Sequence, residues 1–133
     1  MVNKSKKILS EISAGELLDK ISILEIKLQK ITNKDNLDKV KKEYELLKQT
    51  QKSCIDSSDK INDLFNSIKE VNLTLWNIED QIRVCEKNKD IGKKFIELAR
   101  GVYVNNDKRS KIKLEINKVL GSNITEVKQY EEY

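Results

Sequence analysis

The sequence predicts an all-α fold: a helical bundle dominated by a long antiparallel hairpin of its third and fourth helices, with the first two helices packed along it. Three observations carry this. The chain of 133 residues contains no proline, where average usage would supply roughly six or seven, and proline is the residue that interrupts long helices. Apolar side chains recur at spacings of three and four over most of the length, which places them on one helical face. Charged residues make up 36% of the chain against 38% hydrophobic, the balance of helices with one buried stripe and a solvated remainder.

Residues 1–12 form a basic lead-in with Lys4, Lys6 and Lys7, in which Ile8, Leu9 and Ile12 offer apolar anchors. The bundle spans residues 13–121. Ser13 and Glu16 make a capping box that starts the first helix, which runs to about Ile31. Leu17, Ile21, Leu24, Leu28 and Ile31 form its seam at heptad spacing. Ile23 and Ile26 lie off that seam, so this helix is either central or covered by another subunit. Thr32 to Asn36 is rich in turn formers. The second helix, from about Asn36 to Lys52, carries only a narrow stripe of Leu37, Val40, Tyr44 and Leu47, so it packs on one side.

Ser57, Ser58 or Asp59 can cap a third helix from about Lys60 to Lys87, roughly 42 Å long at 1.5 Å per residue. Its seam is Ile61, Leu64, Ile68, Val71, Leu75, Ile78, Ile82 and Cys85. Asn88-Lys89-Asp90 is the turn, with Asp90 as cap of the fourth helix. Phe95, Leu98, Ala99, Val102, Ile112, Ile116 and Val119 continue an apolar face to Leu120. Core positions between Val102 and Ile112 fall on Asn105, Asn106 and Arg109. One long helix with a bend near Gly101 is favoured over a break there. Gly121 is the C-cap. The tail, residues 122–133, places Ile124, Val127 and Tyr130 at spacings of three and is expected to pack back on the bundle.

The stretches Ile12 to Lys27, Leu75 to Arg83, Phe95 to Arg109 and Asn117 to Tyr130 together resemble a family of short, all-helical bacterial and phage proteins of unknown function. The resemblance covers about residues 12–130 and implies a helical domain. It implies no activity, because no catalytic or binding role travels with it.

Function must then be sought in the hairpin. A turn near residue 89 sets Asn72 opposite Asp107, Trp76 opposite Tyr103 and Glu79 opposite Arg100. The expected candidate site is therefore a polar and aromatic layer of Asn72, Trp76, Glu79, Arg100, Tyr103, Asn106 and Asp107. Such a layer serves structure if it only fixes the register of the pair. It serves function if it holds a ligand between helices. Lysine is the default cation here, with only three arginines, Arg83, Arg100 and Arg109, among 26 basic residues. An arginine in the layer therefore points to a carboxylate or phosphate, which its planar fork fits.

The expected function is a non-catalytic, homo-oligomeric binding module for a small anionic ligand. One alternative is an enzyme acting on an anionic metabolite by electrostatic or acid–base catalysis, with Glu25, Glu79 and Asp80 as the nearest carboxylates. Another is a scaffold without ligand. The chain has no histidine and two widely separated cysteines, so neither a transition-metal site nor a cofactor is expected. The two thiols point to a reducing, cytoplasmic setting. Net charge is +4 with both signs mixed throughout, and no reading element accompanies the basic runs, so nucleic acid is not an expected partner. No apolar run is long enough for a membrane span.

Overall fold

The computed structural model describes residues 5–133; Lys4 of the basic lead-in lies outside the described residues. Four helices account for the regular structure of the described residues: α1 (Ala14–Lys30), α2 (Lys34–Cys54), α3 (Asp59–Lys87) and α4 (Lys93–Leu120). No strand occurs among the described residues. The α3/α4 hairpin is the largest interhelical interface, α1 lies against all three other helices, and the backbone of α2 comes close to that of α1 alone. The fold is thus a hairpin with α1 laid along it and α2 laid along α1.

The seams explain this order. Leu17, Leu18, Ile21, Ile61 and Ile116 form the central core, with Tyr44 and Leu47 of α2 packed against its edge. In α3 none of the seam residues is exposed, and Ile68 is wholly buried. In α2 nothing is fully buried; its narrow stripe suits a helix with one neighbour. Ile26 is 2% exposed, so this off-seam residue is covered within the chain. The central position of α1 accounts for it, and it offers no surface to another subunit.

Local sequence sets most helix ends. Ser13, Asn33 and Ser58 each accept a hydrogen bond from a backbone N–H three residues on, at 3.1, 3.0 and 3.2 Å, satisfying a donor that the helix leaves free. Gly121 closes α4 in the left-handed conformation, φ 60°, open to glycine at little cost. Two ends differ from the sequence reading. The N-cap of α4 is Gly92, without a side-chain cap, while Asp90 accepts the Gly92 N–H across the turn. An Asx-type bond within the turn has taken the carboxylate from the helix end. Glu16 also leaves its half of the expected capping box, because its carboxylate is drawn to Lys113 of α4 at 2.7 Å. The fourth helix is continuous through Gly101–Asp107, and Asn105 donates to the Gly101 carbonyl rather than starting a new helix.

Candidate functional site

The most buried polar groups of the molecule lie where α1, α3 and α4 meet. Asp19 is 1% exposed and Ser22 0%. Asn72 of α3 donates from its amide nitrogen to the Asp19 carboxylate and to Ser22 Oγ, both at 2.8 Å. Ser22 donates in turn to the Asp19 carbonyl at 2.7 Å. From α4, an Arg109 nitrogen reaches the Asp19 carboxylate at 3.2 Å, and Lys113 Nζ stands 3.8 Å from it. Lys113 also holds Glu16 at 2.7 Å and Glu126 of the tail at 3.5 Å. A buried carboxylate unpaired would be costly; here two cations and an amide share its charge.

The start of α1 is tied into the same layer. Its first free donors are satisfied one by one: Ala14 N–H by Ser122 Oγ at 3.1 Å, Gly15 N–H by Asn117 Oδ1 at 2.7 Å, and Glu16 N–H by Ser13 Oγ. Glycine at position 15 is dictated by space. A Cβ there would lie 2.5 Å from the Lys113 carbonyl oxygen and 3.0 Å from Asn117 Oδ1. This helix end is therefore closed to an external anion, because the donors an anion would use already have partners.

The layer expected from sequence is only partly assembled. The register is right: Gly101 packs against Ile78, as a turn near residue 89 requires. Asn72 is buried, but it faces α1 and not Asp107. Glu79 bonds Arg83 one turn along its own helix, and Arg100 is exposed and in no ion pair among the described residues. Trp76 is half-buried and Tyr103 45% exposed; the Tyr103 ring meets Tyr133 edge-on at 5.1 Å between centroids. Asn106 and Asp107 are half-buried, and Asp107 accepts the Tyr133 hydroxyl at 2.6 Å. The cause is rotation about the helix axis. Each residue turns about 100° from the last, so with Gly101 at the contact Arg100 must point away from it.

A second feature adjoins the buried layer. The tail, residues 122–133, has no helix and returns along α4. Thr125 accepts from Asn117 at 2.9 Å, Asn123 donates to Glu11 at 2.7 Å, and Tyr133 bonds Asp107. These contacts are polar; Val127 and Tyr130, expected to pack inward, are 84% and 73% exposed. Between tail and α4 lies a cleft of about 650 Å³, within the size range of small-molecule sites. Lys108, Lys111, Lys113 and Lys128 line it, balanced by Asp107, Glu126, Glu131 and Glu132, with Tyr130 and Tyr133. Lys113 is the buried cation of its wall.

The electrostatics at Lys113 are set by competition. Burial pulls the Lys113 ammonium toward losing its proton, but the hydrogen bond to Glu16 and the charges of Asp19, Glu16 and Glu126 outweigh it and raise the pKa. For Glu16, burial pushes the carboxyl up, yet the Lys113 hydrogen bond and charge bring it below its ordinary value. Both groups are thus charged across the neutral range.

Residues 8–133 match the family model DUF6165, a family of unknown function. The chain belongs to this family. The DUF6165 match takes in all four helices and the tail, so both walls of the cleft lie within it. No curated protein and no solved structure matches the chain. No group of three or more His, Cys, Asp or Glu side chains among the described residues is placed to hold a metal ion, and no described helix is long and apolar enough to cross a membrane.

Sequence reasoning missed Asp19, Ser22, Lys113 and Asn117. The signal for the first two was present. Gly15, Asp19, Ser22 and Ile26 recur at spacings of four, three and four, a second helical face built of small and polar residues. Lys113 carried no mark among 23 lysines; only the fold distinguishes it.

Proposed function

We propose that the protein is a non-catalytic binding module for a small anion bearing phosphate or carboxylate, held in the cleft between α4 and the C-terminal segment. The observation that carries this reading is the state of Lys113. Its ammonium is buried at the cleft, and the third of its carboxylates is Glu126, from the tail and at 3.5 Å, against 2.7 Å for Glu16. Of the three carboxylates only Glu126 lines the cleft; it stands where an anionic ligand would stand, and its contact is the one a ligand would replace. Lys108 and Lys111 add charge at the rim, and neither is in an ion pair among the described residues. Binding is favoured over catalysis because Asp19, the carboxylate best shielded from water, is already shared among Asn72, Arg109 and Lys113.

One observation favours a second reading, a scaffold without ligand: each charged group of the buried layer is partnered within the chain. Calorimetric titration with inorganic phosphate and with a short dicarboxylate separates the two. The binding reading expects measurable affinity, lost in Lys108→Gln/Lys111→Gln and raised in Glu126→Gln, which removes the internal competitor's charge. No heat in either the native protein or Glu126→Gln leaves the scaffold.

A further inference from the structure

The most exposed apolar side chains of the molecule are not on its helices. Ile8 and Leu9 in the lead-in are each 90% exposed, and Val127, Tyr130 and Tyr133 in the tail are 84%, 73% and 82%. Neither segment belongs to a helix or a strand. No backbone–backbone hydrogen bond engages residues 5–12 as donor or residues 123–133 in either role, among the described residues. They meet only at their roots, where Asn123 donates to Glu11 and Ile12 and Ile124 flank one shallow groove. Beyond that point they part. The tail runs back along α4 to Asp107, while the lead-in carries Lys6 and Lys7 without an ion-pair partner among the described residues.

Charge says what covers them. The lead-in is basic at Lys6 and Lys7; the tail carries Glu131 and Glu132. Within one copy these opposite charges do not pair. A two-fold axis would bring the lead-in of one copy onto the tail of the other, and the same contact would form twice. We infer that residues 5–12 are an exchange arm, which docks beside the C-terminal segment of a second copy of this chain. Ile8 and Leu9 cover Val127 and Tyr130, and Lys6 and Lys7 meet Glu131 and Glu132. This contact borders the ligand cleft, since Tyr130, Glu131 and Glu132 also line it, but it is read from the oligomeric state and not from ligand binding.

Sedimentation velocity of the full chain at tens of micromolar tests it. The native protein sediments as a dimer. Ile8→Asp/Leu9→Asp weakens the dimer by about a hundredfold or more, the loss of two buried aliphatic side chains, without changing helical content or melting temperature. Lys6→Glu/Lys7→Glu weakens it as well, and adding Glu131→Lys/Glu132→Lys to that variant restores it; restoration is what a merely damaged fold would not give. A monomeric native protein overturns the inference, as does a dimer indifferent to the Ile8/Leu9 change. A native monomer that floats with anionic vesicles also overturns it, assigning the arm to a lipid surface.

Discussion

Replacing Gly15 with alanine adds one carbon where the α1 start crosses α4. That carbon would lie 2.5 Å from the Lys113 carbonyl oxygen and 3.0 Å from both Lys113 Cα and Asn117 Oδ1. Two of the three are backbone atoms of a continuous helix, so α1 must move as a unit. Overpacking of this kind costs about 1–3 kcal/mol. The shift also lengthens the buried 2.7 Å bond from Gly15 N–H to Asn117, and a buried donor left unpaired costs about 1–3 kcal/mol. Higher helix propensity returns at most about 1 kcal/mol. The net is a loss of about 2–4 kcal/mol, read as a fall of about 1–2 M in the urea midpoint. Gly101→Ala is the control. Its Cβ meets only the Ile78 side chain, Cδ1 at 2.9 Å and Cγ1 at 3.8 Å, the end of a side chain that can turn. Here the outcome is within about 1 kcal/mol of the native protein, propensity offsetting crowding. Equal midpoints for Gly15→Ala and the native chain would refute the close crossing of α1 and α4.

Asn72→Ala removes both donors to Asp19 and Ser22 and lowers stability by about 2 kcal/mol in denaturant unfolding, since the buried carboxylate loses a partner. Arg100→Met stays within about 0.5 kcal/mol, as an exposed residue without a partner should, whereas Arg109→Met costs about 2 kcal/mol because it releases Asp19. The pH profile follows from Glu16 and Lys113. Glu16 is depressed, so its contribution is present above its unfolded pKa of about 4.3 and is lost as pH falls through the lower folded value. Lys113 is raised, so its contribution is complete below about 10.4 and is lost as pH rises through the higher folded value. Melting temperature against pH should therefore drop at both edges, and Glu16→Gln should flatten the acid edge.

The periodic features were the legible ones. The α3 seam from Ile61 to Cys85, the caps at Ser13 and Ser58, and Gly121 are local, and local spacing determines them. The hairpin register was legible too, because the turn at residues 88–90 fixes it. What the turn does not fix is the rotation of each helix, and a rotation of one residue moved Arg100 and Tyr103 out of the contact. Packing volume sets that angle: Gly101 lets α4 sit close to Ile78, and this turns Arg109 and Lys113 toward α1. Arg109, which the expected layer left out, is therefore the one bound to a buried carboxylate. The tail cleft was illegible for a different reason. It is made by polar contacts at irregular spacings, Asn117 with Thr125, Lys113 with Glu126 and Asp107 with Tyr133, and no periodicity records them.

The ligand reading is tested most directly by following backbone amide and Trp76 indole resonances as inorganic phosphate is added to the labelled protein. Binding in the tail cleft shifts amides from Lys108 to Lys113 and from Glu126 to Tyr133 and leaves the Trp76 indole in place. Shifts confined to Trp76 and Arg100 would move the site back to the distal hairpin, and an unchanged spectrum in the native protein and in Glu126→Gln alike would contradict an anion site.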